Sequence, residues 1–190
     1  MLTDLSDSEI DNIKYNLLDL RREVGLEDAS YLHIETALAN IEIKRGELKK
    51  GERVLSRVLS TGEAPYEAIL IRAQRLLETG RLVIARNQLE RAACACPRDP
   101  KPLVLLARSY LRAGVDYNLT WAKQLAESAC KLSNWENAEC MSLLSRIYEE
   151  DAQPEIAEIY NEKLKELSSS KELNLSYYTS SLVKMKSSNS

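Results

Sequence analysis

The segment 66–99, YEAILIRAQRLLETGRLVIARNQLERAACACPRD, holds the pattern from which the rest of the chain can be read. Ala73 recurs as Ala39 and Ala107, each 34 residues away, and Gly80 recurs as Gly46 and Gly114 at the same spacing. Gly51 precedes Ala85 by 34 residues, and Ala122 follows it after a three-residue insertion around 117–119. A looser fourth copy, beginning near Ala138, places Ser145, Ala152 and Ala157 at these positions. Fixed self-similarity at this length marks helical hairpins that bury their apolar faces by stacking on their neighbours. Small residues at two places per unit let helices approach closely, and glycine near the end of a first helix supplies a left-handed cap and turn.

In the second unit Ala73, Leu76, Gly80, Ala85, Leu89, Ala92 and Pro97 fall on the signature positions of the tetratricopeptide repeat (TPR) family, which the chain resembles over roughly 32–167. The resemblance implies an all-α fold, a right-handed α-solenoid of about four helical hairpins with flanking N- and C-terminal helices. The array would occupy 31–168, in units of about 32–65, 66–99, 100–136 and 138–168. Its helices are expected at 30–45, 48–60, 66–79, 82–94, 100–113, 119–132, 135–150 and 154–167, with a break over 168–170. Two residues depart from the pattern, Glu42 in the first unit and Asn161 in the fourth, both polar where the repeat is usually apolar.

Outside the array, Ser6 and Glu9 form a capping box that opens a helix over 7–24 within a capping segment 1–30. Its residues Ile10, Ile13, Leu17, Leu20 and Val24 make one apolar stripe, which either covers the first repeat or pairs with a second copy as a dimer seam. Leu173, Tyr177, Leu182 and Met185 suggest another capping helix within 170–190, followed by a frayed tail.

Net charge is -3, with 26 basic and 29 acidic residues interspersed, so no concentrated basic face marks a nucleic-acid site. No apolar run approaches the ~18 residues of a membrane span, and the N-terminal MLTDLSDSEI lacks the form of a signal peptide. A cytoplasmic protein without membrane insertion is the expectation. On the same ground the glycosylation sequons at Asn118 and Asn174 are expected to be silent. Cys94 and Cys96 point to different faces of a helix, no Cys-x-x-Cys pair exists, and His33 is the only histidine. The four cysteines therefore read as packing residues, with no metal or cofactor expected. There is no phosphate-cradling glycine loop, nucleophile elbow or convergent acid–base set, so catalysis is not expected.

What the TPR resemblance does imply is a concave groove lined by the first helix of each hairpin. Carried onto this chain, it offers Asn40 from the first unit and Glu67, Leu70, Ile71, Gln74 and Leu77 from the second. The third contributes Lys101, Val104, Leu105, Arg108, Leu111 and Arg112, and the fourth Arg146. This set reads as an aliphatic centre with a basic sector. Some TPR domains clamp the acidic tails of cytosolic heat-shock chaperones with three cations and two asparagines. The matching residues here are Thr36, Asn40, Ile71, Lys101 and Leu105, of which only Asn40 and Lys101 fit, so that ligand is disfavoured. The expected function is a non-enzymatic scaffold or adaptor that holds a peptide or helix of a partner protein. A TPR-type secretion chaperone for a hydrophobic client, a homodimer, and a constitutive subunit of a larger complex are the alternatives.

Overall fold

A computed structural model describes residues 6–26, 28–114 and 116–169. The expected C-terminal helix over 170–190, with its sequon at Asn174, lies outside them. The described residues are helical throughout, without strands: α1 (Asp7–Glu23), α2 (Ala29–Lys44), α3 (Leu48–Ser60), α4 (Tyr66–Glu78), α5 (Leu82–Ala95), α6 (Lys101–Tyr110), α7 (Leu119–Leu132) and α8 (Ala138–Glu150). A ninth helix, α9, spans 154–169. The chain divides between Cys96 and Pro97 into two compact units. The first holds α1 and the hairpins α2–α3 and α4–α5; the second holds α6–α7 and α8–α9.

The small residues that set the period are all buried: Ala39, Ala73, Ala107 and Ser145 in the first helices, Gly51, Ala85, Ala122 and Ala157 in the second. Gly51 shows why. A Cβ there would lie 2.5 Å from Ile43 Cγ1 and 2.8 Å from the Ala39 carbonyl oxygen, so α2 and α3 meet backbone to backbone. Around this contact Leu55, Val58 and Ala68 close the core of the first unit. In the second unit Val104, Ala126, Cys140, Leu144 and Ile147 are central.

Helix ends follow local chemistry. At Gly46 (φ 84°) the Glu47 amide donates to the Glu42 carbonyl and the Gly46 amide to Ile43, closing α2 in a Schellman motif. The same pair of bonds ends α7 at Asn134, which takes φ 50° in place of a glycine. That turn makes α8 start later than 135: Trp135 also has positive φ, and Asn137 is the N-cap, accepting from the Glu139 and Cys140 amides. Helix α6 stops at Tyr110 rather than 113, because the Asn118 amide takes the Tyr110 carbonyl and Asn118 caps α7 through Trp121. No break follows 167; Ser168 and Ser169 hydrogen-bond back to Leu164 and Lys165 and the helix runs to 169.

Both departures from the repeat pattern are satisfied. Glu42 is buried and paired with Lys14 of α1 and Lys50 of α3, each at 2.9 Å. Asn161 accepts from the Ser145 hydroxyl at 2.7 Å, so the polar residue meets the one hydroxyl among the small positions. Helix α1 lies on α2 with Ile10, Ile13 and Leu17 half-buried and Leu20 exposed. No residue of α1 is fully buried, and three ion pairs join it to α2 and its C-cap: Lys14–Glu42, Arg45–Asp11, and Arg21–Glu35 at 3.1 Å.

Candidate functional site

Helix α4 separates two sets of side chains. Ile71, Gln74 and Glu78 lie within about one-sixth of a turn of each other on one face; Ile69, Arg72 and Leu76 lie on the opposite face. On the first face, α2 and α4 enclose a cleft of about 210 Å³ lined by Asn40, Ile43, Lys44, Ile71, Gln74, Arg75 and Glu78. Three residues expected in the groove, Asn40, Ile71 and Gln74, are therefore brought together. Asn40 and Ile71 are half-buried and Gln74 is exposed. The two amides bring donors and acceptors to a cleft that also holds one aliphatic chain of α4. Arg75 forms the floor, paired with Glu78 and, at 3.5 Å, with Glu52. Glu67 lies at the other end of α4, exposed, with its Oε2 3.8 Å from His33 Nδ1.

The aliphatic centre expected of the groove is corrected by the packing. Leu70, Leu77, Val104, Leu105 and Leu111 are each at most 7 % exposed, so they form core and offer a ligand almost no surface. Leu70 and Leu77 are seven residues apart on α4 and share a stripe turned toward the interior, beside the stripe that carries Gln74. What remains accessible is polar. In the second unit Lys101, Arg108, Arg112 and Arg146 are exposed, Arg108 pairing with Glu139 at 3.0 Å and Arg146 with Glu150 at 3.0 Å. Lys101 and Arg112 have no carboxylate partner among the described residues.

The expectation that all four cysteines pack holds for two of them, since Cys94 is exposed and Cys96 half-buried. Cys130 and Cys140 are buried in the second unit's core, and the neighbouring Cys140 thiol, reinforced by burial, pushes the Cys130 thiol up. Tyr160 stacks between Tyr148 (5.5 Å) and Trp135 (6.1 Å). Burial, with Tyr148 and Glu127 nearby, pushes the Tyr160 phenol up to about 12. Among the described residues no group of three His, Cys, Asp or Glu side chains is placed to hold a metal ion. No described helix is long and apolar enough to cross a membrane.

No protein-family model and no curated protein matches the sequence. Solved structures do match. MamA residues 41-end from Desulfovibrio magneticus RS-1 superposes with a TM-score of 0.64 at 18% identity, covering 87% of this chain and 97% of that one. MamA of AMB-1 gives 0.62 at 18% identity, covering 86% and 95%. A further MamA crystal structure gives 0.63 at 15% identity, covering 86% and 91%. MamA contains tetratricopeptide repeats, and at these identities the likeness shows the fold: all-α, a solenoid of TPR-like helical hairpins.

Proposed function

We propose that this protein is a non-enzymatic interaction scaffold or adaptor that holds an extended peptide or a helix of a partner protein against the first-helix faces of its hairpins. The observation that carries this reading is the cleft between α2 and α4, which Asn40, Gln74 and Ile71 line together. Two amides can hydrogen-bond a peptide backbone while the aliphatic chain receives one side chain, the division of labour usual in peptide recognition. In the second unit the exposed Lys101 and Arg112, with Arg108 and Arg146 engaged by acidic neighbours, form a polar surface of their own, of the kind that sets orientation more than affinity.

The test is comparative affinity purification from the native organism with the wild type and an Asn40→Ala/Gln74→Ala variant. Both side chains lie outside the buried core, so the variant should keep its helical spectrum. Partners recovered by the wild type and lost from the variant support the site, and identical recovery refutes it. A second reading, a constitutive subunit of a larger complex, is favoured by Val83, which is 72 % exposed, and by the exposed Ile84 and Trp121. It would appear as a partner recovered in fixed stoichiometry and unaffected by the double variant.

A further inference from the structure

We infer that the opposite face of α4, where it meets α3 and α5, is a second recognition surface, and that its ligand is a peptide segment carrying carboxylates beside an aliphatic side chain. An open furrow of about 440 Å³ runs between α3 and α5. Leu59, Ala64, Ile69, Leu76 and Ile84 give it an apolar floor, and its charged lining residues are Arg72 and Arg91, with no carboxylate. A smaller hollow of about 230 Å³ shares Ser56, Arg72 and Leu76 with it and adds Arg75, Arg81 and Glu52. Glu52 is already engaged by Arg75. The lining therefore keeps three arginines, Arg72, Arg81 and Arg91, that form no ion pair among the described residues.

Arg72 is the most telling of them. It is half-buried, and its Nη1 donates to a neutral acceptor, the Ser56 hydroxyl, at 3.0 Å. A guanidinium that meets a hydroxyl and no counter-charge is free to take a carboxylate, which it binds through paired, charge-assisted hydrogen bonds. Ile84 is 54 % exposed at the rim, where an aliphatic side chain of the ligand would gain by covering it. Positive charge, an apolar floor and the absence of a free acid in the lining select one chemistry: acidic residues alternating with aliphatic ones. Because Ile69, Arg72 and Leu76 face away from Ile71 and Gln74, this surface and the α2–α4 cleft can be tested separately.

The probe is a fluorescein-labelled octapeptide of alternating aspartate and leucine, titrated with the full chain and followed by fluorescence anisotropy. Saturable binding is expected, weakening with added salt. An Arg81→Glu/Arg91→Glu variant should bind about tenfold more weakly or worse. Both arginines are exposed, so the variant is expected to fold, which circular dichroism verifies; Arg72→Gln provides an independent second variant. The Gln74→Ala variant should bind the probe as the wild type does. The inference is overturned if no saturation is seen, if a lysine–leucine octapeptide binds equally, or if the arginine variants bind unchanged. An aspartate–serine octapeptide binding as well as the probe would remove the apolar half of the assignment and overturn it. Tight binding of inorganic polyphosphate without peptide binding would overturn it in favour of a phosphate polymer.

Discussion

Helix α1 is held by charges that can be reversed without touching the repeat core, and the consequence can be worked out. Lys14→Glu together with Arg21→Glu removes the α1 side of two ion pairs whose acceptors, Glu42 and Glu35, are buried. Glu42 keeps Lys50 and Glu35 keeps Arg57, so neither carboxylate is left without a cation. A hydrogen bond to a charged group contributes roughly 1.5–3 kcal/mol, and solvent at the half-buried Lys14 and the exposed Arg21 brings each contact nearer ~1–2 kcal/mol. Together the two substitutions should shift the docking equilibrium of α1 by ~2–4 kcal/mol, about thirtyfold to a thousandfold. A detached helix of this length is marginal in water, so undocking should also melt it.

The assay is amide hydrogen exchange resolved by segment. Residues 10–22 should lose protection by that factor while α4 and α5 keep theirs. Unchanged exchange over 10–22 would mean that Ile10, Ile13 and Leu17 hold the helix without help from the charges. Equal loss across α1 to α5 would mean that α1 belongs to one cooperative unit with the repeats. Either result refutes the reasoning.

Three further outcomes follow from individual residues. Burial raises the Glu42 carboxyl pKa, but hydrogen bonds and charge from Lys50 and Lys14 outweigh this and hold it below its ordinary 4.5. Its contribution to stability is therefore complete above that value and fades as pH falls through the lower, folded-state pKa. Urea midpoints of wild type and Glu42→Gln should differ at pH 7 and converge in acid; a constant difference would exclude the linkage. Gly51→Ala should destabilise by ~1–2 kcal/mol in urea unfolding, since overpacking against the Ala39 backbone outweighs the helix propensity gained. A neutral result would show that α2 and α3 can move apart. Ala152→Gly should stabilise by ~0.5–1 kcal/mol, because Ala152 occupies φ 55° at the turn after α8 where a side chain is strained; an unchanged or lower thermal midpoint would count against that strain.

The fold was legible because close helix contact leaves a residue-by-residue mark. A backbone approach such as Gly51 against Ala39 admits no larger side chain, so the period survives where everything between has diverged. The helix starts that slipped did so where an asparagine cap or a left-handed turn overrode the repeat, as at Asn134 and Asn137. The candidate site was less legible. Periodicity says that Leu70 and Ile71 lie on first-helix faces, but adjacent residues on a helix point 100° apart, and only packing decides which one is covered. The furrow between α3 and α5 left no sequence signal, because Arg72, Arg81 and Arg91 are spread among acidic residues along the chain and only the fold brings them to adjoining hollows.

The burial of the aliphatic residues changes what kind of binding the proposed scaffold could support. A groove lined by Leu70, Leu77, Leu105 and Leu111 would have gained affinity from apolar area and tolerated many partners of similar shape. With those side chains in the core, the accessible first-helix faces offer amides and one half-buried isoleucine in the first unit. In the second they offer Arg108 and Arg146, engaged by neighbouring acids, and Lys101 and Arg112, which pair with none among the described residues. Such a surface discriminates through unpaired polar groups. A ligand that covers Asn40 or Gln74 without partnering it forfeits about 1–3 kcal/mol, as much as one aliphatic contact returns. Recognition would then be selective and readily reversed, with affinity limited by the small apolar area. These are the properties of an adaptor that exchanges partners, and they predict that Ile71→Ala weakens partner binding less than Asn40→Ala/Gln74→Ala does.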